Sequence, residues 1–267
     1  MDNLINRAKE LLENKTVQVV IGYEAGPTNV VRPSFITDPS KTGRLIYDDR
    51  CVQNLAVYLT KPEVKHLGKI AIVATLPVMR SIMMLISEQQ VSADSIVVFG
   101  ISADGSFLDI ENIQVMQGYI EKSDLSNPDK YKSFLSELNK LSPEEKFAYW
   151  QKELSKCIKC YACRQACPMC YCIRCTVEVN QPQWIPVQAN THGNIEWHIL
   201  RAMHLAGRCI SCGECGRACP VGIPCHLLTM HLNDQVYNYF KVYAGTSDKM
   251  SSVLSTYEPN DKESFII

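Results

Sequence analysis

The sequence predicts an α/β N-terminal domain with a partly parallel sheet, followed by an α-helical domain organised around cysteine runs. Three observations carry this expectation. Helix-like and strand-like segments alternate over the N-terminal part. Thirteen cysteines are present, yet only Cys51 lies in the first 150 residues. In the second half, a helix candidate leads into a cysteine run twice. A chain of 267 residues is long enough for two domains, each with its own core. The expected division is an α/β docking domain over 1–140, a helical domain over 141–235 and a tail over 236–267.

Taken in order, Leu4 to Glu13 repeats apolar residues at Leu4, Ile5, Ala8, Leu11 and Leu12, a helical stripe, and Val17 to Ile21 reads as a short buried strand. Cys51 to Leu59 reads as helical and Lys69 to Ala74 as a strand. Pro77 to Ser87 reads as a helix with proline in its first turn, and Ser95 to Ile101 as another strand. Strand, helix and strand in succession imply a right-handed crossover and parallel pairing. Pro143 to Leu154, acidic in its first turn, delivers the chain as a helix to Cys157. Asn194 to Ala206 carries Ile195, Ile199, Ala202, Met203 and Ala206 on one side, with Gly207 as its stop before Cys209. Pro224 opens a last helix whose apolar face is Leu227, Leu228 and Leu232.

Lys+Arg at 27 against Asp+Glu at 28 leave a formal net charge of -1, so no global basic field draws nucleic acid or an anionic membrane surface. No apolar run approaches the roughly 20 residues that span a bilayer. The opening MDNLINRAKELLENK is polar and amphipathic, unlike a signal peptide, so a cytoplasmic location is expected. No GxGxxG follows a strand and no GxxxxGK occurs, which removes the common dinucleotide and phosphate-loop signatures. Gly26-Pro27 and Thr42-Gly43 read as turns. His66 reads as a solvated surface histidine, and Arg80 as a surface or capping residue with an anion near the strand end as the alternative.

Clustered cysteines in a chain without an export signature speak for metal ligation rather than disulfides. Two runs share one pattern: Cys157-Ile-Lys-Cys160-Tyr-Ala-Cys163-Arg-Gln-Ala-Cys167-Pro168 and Cys209-Ile-Ser-Cys212-Gly-Glu-Cys215-Gly-Arg-Ala-Cys219-Pro220. Three thiolates at two-residue gaps wrap one face of a 4Fe-4S cubane, while the fourth, three residues on, ligates the other cluster in two-cluster ferredoxins. On that logic Cys157, Cys160, Cys163 and Cys219 hold one cluster, and Cys209, Cys212, Cys215 and Cys167 hold the other. Two zinc sites are the alternative, because CxxC pairs also bind zinc. Zinc gives no reason for a third cysteine, a three-residue gap and a proline to recur in both copies.

Cys170, Cys172 and Cys175 form a further compact group, CYCIRC. They either pack as small apolar groups or bind an additional metal centre, with a fourth ligand from Cys51, Cys225, a histidine or a partner. Cys225 itself reads as a core residue. His198 and His204 read as packed or exposed rather than ligating, since eight cysteines already complete two cubanes.

The cysteine-rich stretch resembles the helical dicluster 4Fe-4S ferredoxin modules of heterodisulfide-reductase-like complexes. With GYEAG, RPSFI, CVQNLAVYL, KIAIVA and VVFGISADG ahead of KCIKCYACRQACPMCYC and HILRAMHLAGRCISCGECGRACPVGIP, the chain resembles the beta-subunit family of deazaflavin-dependent hydrogenases and formate dehydrogenases. It is most similar to the family's shorter members, which are linked to flavin oxidoreductase and heterodisulfide-reductase-like subunits. One departure stands out: many relatives carry a Cys-Asp turn where this chain has Thr75-Leu76-Pro77-Val78-Met79 before Arg80. Flavin-binding members are also generally longer, which implies that flavin sits on a neighbouring subunit. The resemblance thus implies a non-catalytic iron-sulfur electron-transfer subunit of a soluble oxidoreductase complex in anaerobic metabolism. Its partners would be flavin-containing, hydrogenase or heterodisulfide-reductase-like subunits, with no nucleic acid and no membrane span. The competing class is an oxidoreductase whose own flavin or deazaflavin converts hydride to single electrons.

Overall fold

The computed structural model describes residues 1–175, 177, 182, 185–249 and 252–254. Its N-terminal layer is a six-stranded mixed sheet of β1 (Val19–Ala25), β2 (Val31–Ile36), β3 (Leu45–Ile46), β4 (Ile70–Ala74), β5 (Ile96–Ile101) and β6 (Phe107–Ile110). The strand order is β2-β1-β4-β5-β6, with β3 added to β1. β4 runs parallel to both β1 and β5, whereas β2 and β3 on β1 and β6 on β5 are antiparallel. The partly parallel α/β class is therefore present. All five residues of β4 are buried, as expected of an inner parallel strand covered on both faces, and this is why its sequence lacks alternation. β2 lies at the sheet's edge, where Pro33 can be accommodated without removing an inner ladder bond.

Helix α1 (Asp2–Glu13) buries Leu4, Ala8, Leu11 and Leu12 in the sheet core. α2 (Pro62–Lys65) precedes β4, and α3 (Leu76–Ser87) joins β4 to β5. The helix expected over Cys51 to Leu59 is only a 3-10 turn at Leu55–Thr60. The Asn54 side chain accepts a hydrogen bond from the Ala56 N–H at 3.1 Å, which starts the turn there and leaves 51–54 as loop. α4 (Ile113–Glu121) and α5 (Asp129–Lys140) follow the sheet.

The cysteine-rich part is helical: α6 (Pro143–Ser155), α7 (Ala162–Gln165), α8 (Thr191–Leu205), α9 (Glu214–Arg217) and α10 (Cys225–Phe240). A reciprocal capping box between Ser142 and Glu145 opens α6. Both α6 and α10 pack on α8, and α5 packs on α10 through Leu135, Leu227 and Met230. Gly207, at φ +71°, takes the left-handed conformation just beyond α8, as its stop role requires. Among the described residues no helix is long and apolar enough to cross a membrane.

Met169, Leu205, Ile210 and Ala244 join the sheet core, so the helical part is seated on the α/β layer through shared apolar packing. Two expectations change at this seam. Arg80 is neither a surface nor a capping residue: it is 5% exposed and donates to the Ala244 carbonyl at 2.9 and 3.1 Å and to the Ile210 carbonyl at 3.2 Å. α3 is buried over most of its circumference, so its one cation meets backbone carbonyls of the helical part instead of water. On α8 the residues of the expected apolar side divide: Ala202 and Ala206 are buried and Ile195 packs on the core around Leu154 and Trp197, whereas Ile199 is 48% and Met203 56% exposed. Asn194, His198 and Arg201 are buried beside them, and Asn194 and Arg201 donate to carbonyls of the cysteine loops.

Candidate metal centres

The two cysteine runs fold into the same local structure. Each begins where a helix ends: the Cys157 N–H donates to the Leu154 carbonyl at 3.1 Å, and the Cys209 N–H to the Leu205 carbonyl at 2.9 Å. Two residues later the N–H of Lys159 points at Cys157 Sγ (3.3 Å), and that of Ser211 at Cys209 Sγ (3.4 Å). The third and fifth positions of both runs, Lys159 and Tyr161 in one and Ser211 and Gly213 in the other, have positive φ. Three of these four are not glycine, and such backbone is held only where the surroundings over-determine it. The surroundings also repeat. Asn194 on α8 donates to the Cys157 carbonyl at 2.9 Å, and Asn233 on α10 donates to the Cys209 carbonyl at 2.6 Å.

A cavity is lined by Cys157, Cys160, Cys163, Cys219 and Cys225, with Trp197 and His198 as its wall. Three cysteines of the first run thus meet the last cysteine of the second. Cys167 packs with Cys209 and Cys212 against the sheet core, whereas Cys157 and Cys219 pack against a second core that contains Leu154, Cys163, Trp197 and also Cys215. Among the described residues no three His, Cys, Asp or Glu side chains close on one point as a single ion requires.

Burial raises the Cys157 and Cys209 thiols above their ordinary range and pushes Cys212 up to about 12. Proton release from these thiols would accompany metal binding, which requires thiolates. Two buried arginines oppose the negative charge of such a site. Burial lowers Arg80 to about 10, with Cys209 and Cys212 acting against that fall, and it stays cationic at neutral pH. Burial also works against the charge of Arg201, but Cys170, Cys167, Cys215 and Cys163 around it hold its pKa raised. Arg201 further donates to the Cys163 carbonyl at 3.0 Å.

The remaining cysteines separate by environment. Cys225 is 2% exposed, as a core residue should be, and it stands between the runs, with the thiols of Cys163 and Cys215 as its neighbours. Cys51 is buried in the N-terminal layer, its Sγ accepting from the Asp48 N–H at 3.4 Å. His66 is exposed, as expected. His204 is also exposed, whereas His198 is 4% exposed and packs on Trp197 at 4.9 Å between ring centroids.

Residues 156–224 match the family model described as 4Fe-4S dicluster domain. This segment is a 4Fe-4S dicluster domain. The chain is also similar to the F420-dependent formate dehydrogenase subunit beta of Methanocaldococcus jannaschii, at 38% identity over 76 residues, 28% of this chain and 19% of the relative. The F420-dependent formate dehydrogenase 1 subunit beta of Methanococcus maripaludis is 38% identical over 58 residues, 22% of this chain and 14% of the relative. The matched segments therefore span less than a fifth of each relative's length. Within that span they support the beta-subunit resemblance seen in the sequence.

The residues of the dicluster domain fit the group its family description names. The clearest sign is His198: burial lowers its pKa to about 4, leaving the imidazole neutral, and its Nε2 has no hydrogen-bond partner while the ring lines the first cavity. A buried polar nitrogen without a partner is costly, and a cluster sulfur in the cavity would accept its proton. We expect His198→Phe to keep the iron content and to lower the midpoint potential of the first-run cluster, because a hydrogen bond to sulfur favours the reduced state. Redox titration followed by paramagnetic resonance measures it, and an unmoved potential would remove His198 from the site.

Proposed function

We propose that this chain is an iron-sulfur electron-transfer subunit that relays single electrons through two 4Fe-4S clusters within a cytoplasmic multi-subunit redox complex. A flavin-bearing oxidoreductase or hydrogenase-type subunit stands on one side and a second iron-sulfur subunit on the other. The observation that supports this reading is the lining of the first cavity, where Cys219 of the second run joins Cys157, Cys160 and Cys163 of the first, in two loops of like backbone conformation. In this reading Cys157, Cys160, Cys163 and Cys219 ligate one cluster, and Cys209, Cys212, Cys215 and Cys167 the other. Residues 1–140 serve as the docking domain, 141–235 as the cluster unit and 236–267 as a tail.

When bound, the clusters supply one-electron redox chemistry with no hydride step. The protein's part is to fix eight thiolates, to cover them with the sheet core and Trp197, and to place Arg80 and Arg201 where negative charge accumulates. Flavin is assigned to a partner because no strand of the N-terminal layer carries a dinucleotide fingerprint and the Thr75 to Met79 turn departs from the relatives' pattern.

Anaerobically loaded, partner-free chain is the material for the test. Its two motifs should account for about eight irons and eight acid-labile sulfides, four of each per cubane. It should contain no stoichiometric flavin and oxidise no nicotinamide, yet its clusters should be reduced by an external reduced flavin. Total iron near four would defeat the two-cluster reading. Bound flavin, or nicotinamide oxidation without a partner, would move the chain to the enzyme class.

A further inference from the structure

The CYCIRC cysteines are not used by the two-cluster assignment, and the fold brings them to one place. Cys170, Cys172 and Cys175 line a second cavity together with Arg201 and His204 of α8 and with Arg208 just beyond it. We propose that this cavity is a third iron-sulfur site, holding a 4Fe-4S cluster on Cys170, Cys172 and Cys175 with His204 as the fourth ligand. The inference rests on the two-cluster reading above, since it assigns only the cysteines that reading leaves over.

Two observations besides the cysteines mark this cavity. Arg201 is only 6% exposed and lines it, with the Cys170 and Cys215 side chains as hydrogen-bond partners and Cys170, Cys167, Cys215 and Cys163 around its charge. A buried cation among thiols favours thiolates there and suits an anionic cluster. Arg208 is held at the cavity by Glu88, by the Tyr171 hydroxyl at 3.1 Å and by the Tyr171 ring at 5.4 Å, so a second cation is fixed rather than swinging in solvent. Arg208 is paired with Glu88, so Arg201 is the cation that balances an anionic cluster at these thiols.

Placement also decides the fourth ligand. Cys51 is engaged in the N-terminal layer at Asp48, and Cys225 is enclosed between Cys163 and Cys215. Neither lines this cavity, whereas His204 does. Cys170 adjoins Cys167, a proposed ligand of the second-run cluster, so a third cluster would lie beside the second. His204 and Cys172 are exposed, which puts the new centre at the molecular surface, where an electron partner can approach it.

The test is iron and sulfide analysis with reduced-state paramagnetic resonance on the anaerobically loaded full chain and on the triple variant Cys170→Ser, Cys172→Ser, Cys175→Ser. The parent should hold about twelve irons and the variant about eight, a loss of one cubane equivalent with both other signals intact. His204→Cys, which completes an all-thiolate set, should keep about twelve irons and change only the third signal. A parent with about eight irons and two signals overturns the third site and leaves the two-cluster reading standing. A parent near four irons defeats the two-cluster reading itself. Stoichiometric zinc in the parent, lost in the triple variant, likewise overturns the iron-sulfur assignment. The parent measurement decides even if the triple variant does not fold.

Discussion

Serine in place of Cys219 is expected to abolish the reduced-cluster signal that Cys157→Ser or Cys160→Ser abolishes, and to preserve the signal that depends on Cys209 and Cys212. The loss should approach one cluster, about four irons, because an alkoxide is a poor substitute for a thiolate at an iron corner. Cys219 belongs to the second run by sequence, yet it lines the same cavity as Cys157, Cys160 and Cys163. Cys167→Ser should do the reverse and behave like Cys209→Ser or Cys212→Ser, since Cys167 packs beside those two against the sheet core. Single-variant iron analysis with paramagnetic resonance separates the groups. If Cys219→Ser instead groups with Cys212→Ser, each run builds its own cluster and the crossed assignment is lost.

The legible part of this protein was the part written in short-range spacing. The IAIVA and IVVFGI runs announce buried parallel strands because nothing polar interrupts them, and α6 is marked by Ser142-Pro143-Glu144-Glu145 at its start. The edge strands were harder. β2 pairs with β1 across a short connection and carries Pro33, so its pattern resembles loop, and β6 has only four residues. α4 and α5 carry apolar residues at helical spacing, Ile113, Met116 and Ile120 in α4 and Tyr131, Phe134, Leu135 and Leu138 in α5, so periodicity does announce them. Helical periodicity reports which residues share a face, not what that face meets. On α8 the face towards the cysteine loops also takes Asn194 and Arg201, which donate to their carbonyls, so Ala202 and Ala206 of the apolar side are buried while Ile199 and Met203 are exposed. The same logic hid Arg80: a lone arginine in an apolar helix gives no local sign that carbonyls from residues 210 and 244 will receive it.

Those two buried arginines should set cluster potentials, and they should do so differently. Arg201 faces Cys170 of the proposed third site, Cys167 and Cys215 of the second proposed cluster and Cys163 of the first, whereas of the cysteines Arg80 faces Cys209 and Cys212. Reduction adds one negative charge to a cluster, so removing a nearby fixed cation makes the reduced state less favourable and lowers the potential. At an effective dielectric constant of ~20 and a separation of roughly 7 Å, one charge contributes on the order of 2 kcal/mol. For a one-electron couple this is roughly 80 mV. Arg201→Met is therefore expected to lower the potentials of the first-run and second-run clusters, and that of the proposed third cluster with them, and Arg80→Met to lower that of the second-run cluster alone. Arg201→Lys, which keeps the charge, should restore most of the shift. Potentiometric titration of the loaded chain, with iron content as the control for cluster loss, reads all three. General loosening of the site would lower iron content and would not separate the clusters in this way. If Arg80→Met shifts both potentials equally, or if full iron loading accompanies unmoved potentials in Arg201→Met, the buried cations are structural pins for the carbonyls they bind and not regulators of electron flow.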